Sequence, residues 1–142
     1  MQAQSVHARE DGFTLVELLV VLAILGLLVA IAAPRVMKYL GSAKSDTARI
    51  QVDKLSGILD LYRLEVGHYP TEQDGLRALV EKPAQADSWN GPYLKNAASL
   101  VDPWGVPYFY RAPGQHGEFD LYTLGADGKE GGEGADRDIT NW

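Results

Sequence analysis

From Phe13 to Ala33 the chain reads F-T-L-V-E-L-L-V-V-L-A-I-L-G-L-L-V-A-I-A-A, and Glu17 is the one ionisable side chain in it. As a helix, at 1.5 Å rise per residue, such a run spans about 30 Å, the thickness of a bilayer's hydrocarbon core. The nearest alternative is a secretory signal, whose apolar core runs roughly 7–15 residues and ends in small residues before a cleavage site. This run is longer, and Ala30, Ala32 and Ala33 lead into Pro34 and a further helical pattern. The expectation is a membrane-spanning helix over 13–33 that stays on the mature chain.

Glu17 is the exception in that run and has two readings. A carboxylate costs about 2.5–3.5 kcal/mol near the centre of a membrane helix and less near an end. Thr14-Leu15-Val16-Glu17 has capping-box spacing, with Thr14 as N-cap and Glu17 reaching back to a free N–H. Alternatively, Glu17 awaits a positive charge, which a cut between Gly12 and Phe13 would supply as a new α-amine.

Gly12-Phe13-Thr14-Leu15-Val16-Glu17 and the apolar run behind it resemble the class III signal of type IV pilins and of type II secretion pseudopilins. The resemblance implies that a prepilin peptidase cuts after Gly12 and N-methylates Phe13. It also implies that Glu17 neutralises a neighbouring subunit's N-terminal amine during assembly, and that the segment from Gly26 to Pro34 loosens. The leader over 1–12 departs from the usual basic pattern in ending Arg9-Glu10-Asp11. Arg35, Lys38 and Lys44 follow the span while Arg9 precedes it, so the positive-inside rule alone would put the C-terminal domain in the cytoplasm. The resemblance implies the opposite topology, with that domain in the periplasm and the span in the inner membrane.

Proline within a helix removes a hydrogen bond and clashes with the preceding turn, so Pro34 predicts a kink, and Gly26 is a second weak point. Gly41-Ser42 is a further place to loosen. Beyond it, Ala48, Val52, Leu55, Leu59, Tyr62 and Val66 alternate spacings of four and three, giving one apolar stripe for packing on the domain's own core. Gly67-His68-Tyr69-Pro70 stops the helix, so one long helix is expected over 13–66 and a globular domain over 67–142. Thr71-Glu72-Gln73-Asp74 predicts an N-cap and acidic first turn of a short helix running to Pro83. Ala84–Pro92 reads as loop. Asp102-Pro103-Trp104-Gly105 fits a type I turn, residues 107–111 read as a strand, and residues 119–124 as its return.

Composition narrows the function. The net charge of -6 argues against nucleic acid, whose binders carry a basic patch. The absence of cysteine removes disulfides and thiolate metal sites. Three histidines, His7, His68 and His116, are scattered among leader, helix end and turn, and no catalytic triad or zinc spacing is suggested. A membrane-anchored hydrolase therefore has no residue support, and the resemblance implies a structural subunit rather than an enzyme.

The tail from Leu124 to Asp138 packs five glycines and five carboxylates together. Glycine lets carbonyls turn inward, and hard oxygen ligands suit Ca²⁺. The EF-hand template fails because Lys129 and Gly131 occupy its third and fifth positions, and Gly131-Gly132-x-Gly-x-Asp136 matches only a single calcium β-helix repeat. A solvated acidic loop is the plain alternative.

Together the Asp-Pro-Trp-Gly turn, Pro-Gly-x-His-Gly, Phe-Asp-Leu-Tyr and this tail resemble the major pseudopilins, over residues 12–142. The resemblance implies an α+β fold, a long N-terminal helix packed on a small antiparallel sheet with a calcium loop. It implies Ca²⁺ ligands from the side chains of Asp127, Asp136 and Asp138 and the carbonyls of Leu124 and Lys129, with the Arg137 carbonyl as the alternative to Asp136. The implied partners are like subunits in a helical filament, minor pseudopilins, the prepilin peptidase, and an inner-membrane platform with a cytoplasmic ATPase. A minor pseudopilin or type IV pilin-like subunit is the alternative; zero cysteines weigh against a pilin, which commonly closes a C-terminal disulfide loop.

Overall fold

Thr14 and Glu17 open the first element. In the computed structural model, which describes residues 12–142, the Glu17 N–H donates to Thr14 Oγ1 (3.2 Å) and the Thr14 N–H donates to a Glu17 carboxylate oxygen (3.4 Å). This reciprocal pair is a capping box, and it starts helix α1 at Leu15, two residues after the expected start at Phe13. The rest of the leader, residues 1–11, lies outside the described residues. Helix α1 covers Leu15–Val66 and passes through Gly26, Pro34 and Gly41 without interruption. Pro34 removes a single N–H, and the bonds on either side carry the helix past it. Around the suspected loosening, the hydroxyls of Ser42, Ser45 and Thr47 donate back to the carbonyls of Lys38, Gly41 and Ala43.

Compactness divides the chain between Met37 and Lys38 rather than after residue 66. In the first unit the apolar side chains of α1 are exposed, from Val21 at 45% to Leu15 at 86%. By length and composition α1 can cross a membrane.

In the second unit, the same helix supplies one wall of a core. Ala48, Val52, Leu55, Leu59 and Tyr62 are buried, as their spacing predicts, and Val66 packs at the edge. For that reason the amphipathic half of α1 belongs with the globular residues. Facing it in the core are Leu76, Leu79, Leu94, Leu100, Tyr108, Phe119, Leu121 and Ile139. The sheet has three antiparallel strands in chain order: β1 (Phe109–Arg111), β2 (Asp120–Thr123) and β3 (Ile139–Thr140). Phe109 pairs with Tyr122 and Arg111 with Asp120, while Tyr122 pairs with Thr140 on its other side. Leu121, Thr123 and Ile139 thus turn toward the core, and Phe109 and Tyr122 stack on the other face with centroids 5.1 Å apart.

One expected element changes and three others are added. The short helix after Thr71 is a 3-10 helix confined to Gly75–Leu79, because Gly75 adopts a φ of 56° and closes the turn begun at Thr71 before an α-helix can run. Thr71 is not its N-cap, a place taken by Asp74 with no side-chain cap bond; the Thr71 Oγ1 instead accepts the Asp74 N–H within the preceding turn. Strand β3 and the 3-10 helices Ala97–Leu100 and Gly134–Asp136 were not read from the sequence.

The expected Asp102 turn closes with the Gly105 N–H on the Asp102 carbonyl (3.1 Å). Its buried carboxylate also accepts the N–H groups of Trp104 and Val106 (both 2.9 Å) and the Thr123 hydroxyl, tying the turn to β2. Asp102→Ala leaves these donors without a partner and is expected to cost about 1–3 kcal/mol. Denaturant titration checks this, and wild-type stability in the variant would refute the tether.

Candidate functional site

Two regions carry the chemistry suggested by the sequence. At the N-terminus of α1, Gly12, Phe13, Thr14 and Glu17 are all exposed, and the Glu17 carboxylate is engaged by the backbone of Thr14. The second region is the loop joining β2 to β3.

That loop is folded on its own backbone. The Ala126 N–H donates to the Ala135 carbonyl (3.0 Å) and the Asp136 N–H to the Glu133 carbonyl (3.1 Å). Gly131 and Asp138 exchange bonds: the Gly131 N–H reaches Asp138 Oδ2 (2.9 Å), and the Asp138 N–H returns to the Gly131 carbonyl (3.3 Å). The Lys129 N–H donates to Asp127 Oδ1 (3.1 Å). Glycine is required where strands of the loop touch. A Cβ on Gly132, already at a φ of 85°, would lie 2.5 Å from the Asp136 carbonyl oxygen.

Of the expected ligand positions, Leu124 and Asp138 line one cleft of about 240 Å³, together with Glu130, Tyr122, His116 and Trp142. Asp127, Lys129 and Asp136 are exposed and lie outside that lining. Among the described residues, no three carboxylate or imidazole side chains gather closely enough to hold a metal by themselves. One atom is nonetheless left over. Asp138 Oδ1 is buried without a hydrogen-bond partner, alone in this among the side-chain atoms of the described residues. A buried charged oxygen left unpaired is costly, and a cation drawing further ligands from backbone carbonyls would satisfy it.

Glu130 was missed because its side chain reaches the cleft only once β2 and β3 pair. Asp120, by contrast, follows the Pro113–Gly117 turn at the spacing a turn acceptor needs. It is buried, and its carboxylate accepts the N–H groups of Gln115 (2.8 Å) and His116 (3.1 Å), with His116 Nδ1 at 3.2 Å. The His116 ring stacks on Trp142, with centroids 4.0 Å apart. Burial pushes the Asp120 carboxyl up, but those N–H groups and the imidazole outweigh it and hold the carboxyl below its ordinary value.

A family model described as "Type II secretion system (T2SS), protein G" matches residues 35–142, and one described as "Prokaryotic N-terminal methylation motif" matches residues 7–33. The chain belongs to the type II secretion system protein G family. The "Type II secretion system core protein G" of Pseudomonas aeruginosa is 49% identical, with 94% of this chain and 96% of that one covered. Its Vibrio cholerae counterpart is 42% identical, covering 94% and 92%. The crystal structure of the major pseudopilin from the type 2 secretion system of enterohaemorrhagic Escherichia coli aligns with a TM-score of 0.60 at 35% identity, covering 75% of this chain and 92% of that one. The long helix on a small antiparallel sheet is thus a protein G fold.

A carboxyl lowered by folding stabilises above its unfolded value, near 4, and that contribution is lost as pH falls through the folded value. In this protein G chain, Asp120→Asn should therefore melt lower at neutral pH and lose less stability than wild type on acidification below about pH 4. Thermal melts across pH check this; parallel curves would refute it.

Proposed function

We propose that this chain is the polymerising subunit of a type II secretion pseudopilus, the filament that moves folded exoproteins through an outer-membrane channel. The observation that carries the reading is the first half of α1, whose apolar side chains are exposed among the described residues and whose start bears Glu17. Lipid, and then other copies of the same helix, would cover that surface. In this reading the prepilin peptidase cuts between Gly12 and Phe13 and methylates Phe13. The subunit waits in the inner membrane of a Gram-negative cell, with residues after the span in the periplasm. Minor pseudopilins, an assembly platform and its ATPase join it there. Gly26 and Pro34, where the helix ladder is weakest, are where α1 would loosen on leaving the bilayer.

On assembly the Phe13 amine of one subunit would meet Glu17 of another. Losing one partner of such a buried pair leaves the other charge stranded, at about 3–5 kcal/mol. Glu17→Ala should therefore block filament formation while cleavage continues, read by pelleting of filaments and by the intact mass of the membrane-extracted chain. Normal filaments from the variant would refute the pairing.

We further propose that the loop from Leu124 to Asp138 takes up Ca²⁺. The side chains of Asp127, Asp136 and Asp138 and the carbonyls of Leu124 and Lys129 would hold it, with the unpaired Asp138 Oδ1 as the supporting feature. A divalent cation supplies the positive charge that offsets the loop's carboxylates, and holding it orders a glycine-rich segment with much conformational freedom to lose. Asp127→Ala and Asp138→Ala should melt lower than wild type in calcium buffer and show no further drop on adding a chelator. A wild-type chain that melts identically with and without chelator would overturn the calcium reading.

A further inference from the structure

We infer that Gly41 of α1 is a seat that positions the calcium loop, and that the absence of a side chain there is required for the loop to bind its cation at full affinity. The inference rests on the calcium reading above. Gly41 follows Leu40 at the end of the exposed apolar run and is itself half-buried, whereas Ser42 and Ala43 are exposed. What covers it is the loop, since a Cβ built on Gly41 would lie 2.9 Å from the Cβ of Ala135. That neighbour cannot swing aside as a long side chain would, because a methyl on Cα moves only with its backbone.

The backbone of Ala135 is tied to the ligand-bearing arm. Its carbonyl accepts the Ala126 N–H (3.0 Å), the residue before Asp127. A Cβ on Gly125 would lie 2.9 Å from that same oxygen, so the two loop strands are already in contact and leave no slack. A methyl added at Gly41 therefore displaces Ala135, and Ala135 carries Ala126 and Asp127 with it. Elsewhere on α1 a glycine is open: Gly26 and Gly57 have nothing within 4 Å of such a Cβ.

The test turns on opposite signs. Alanine is the better helix former, so if Gly41 were only a helix position, Gly41→Ala would leave the chain as stable or more stable. As a seat for the loop, the same change should weaken calcium binding about tenfold, the scale of a modest overpacking. The full-length chain in detergent, stripped with chelator, is titrated with Ca²⁺ by calorimetry and melted with chelator present. We expect Gly41→Ala to keep a cooperative melt with chelator present but to bind Ca²⁺ more weakly. Gly41→Ala combined with Ala135→Gly, which moves the methyl across the contact, should recover most of the affinity, and Gly57→Ala should change none of it. Wild-type affinity in Gly41→Ala, or no recovery in the double variant, would overturn the seat alone. No calcium response in the wild type would overturn the calcium reading beneath it.

Discussion

Burial of one stripe of α1 holds the folded part of this molecule together. Val52, Leu55, Leu59 and Tyr62 are inaccessible or nearly so, and Leu79, Leu121 and Ile139 close over them from three separate segments. Each such side chain contributes about 1.5–3 kcal/mol on removal from water. The ion pairs at the surface cannot compete. Arg63–Glu118, Arg77–Glu81 and Arg111–Glu72 are all well exposed, where a pair is worth about 0–1 kcal/mol. With 3-10 turns, three short strands and long irregular connections, the domain has little regular hydrogen bonding of its own. Its loops are ordered because they are pinned to that stripe.

Two buried carboxylates supply much of the pinning. Asp102 gathers two backbone N–H groups and a hydroxyl at the turn before β1, and Asp120 gathers two backbone N–H groups at the turn before β2. Aromatic side chains do the same where a polar tip is needed. The Tyr108 hydroxyl donates to Gln51 of α1 (2.6 Å), the Tyr110 hydroxyl to the Pro70 carbonyl (2.8 Å), and the Trp89 ring N–H to the Ala78 carbonyl (2.8 Å). Each ties an element to a separate segment of the chain, so side chains lace the fold alongside the short strands.

Legibility in the sequence follows from this division of labour. The apolar run, the capping box at Thr14 and Glu17, the buried face of α1, its end at Gly67 and the Asp102 turn all depend on residues close together in the chain, and their spacing carries them. The two residues of β3 have no period to detect, and they become a strand only by pairing with Tyr122 and Thr123. The helix expected after Thr71 was overruled by one left-handed glycine, a backbone state the residue type permits but does not announce. At the loop, the composition of glycine and carboxylate was visible, but not which oxygens face one cleft. Glu130 and Asp138 both line it through the path of the whole loop, and Ala135 meets Gly41 from far along the sequence.

The exposed half of α1 has an energetic consequence of its own. Its leucines, valines and isoleucines are poorly suited to water but find lipid tails and the side chains of like helices nearly equivalent company. Passing from a bilayer into a bundle of such helices exchanges one oily neighbourhood for another, so the hydrophobic effect neither drives the passage nor bars it. In the proposed filament the balance would be left to small terms, such as shape fit and a single carboxylate, and a rod governed by small terms would be open to being put together and taken apart repeatedly.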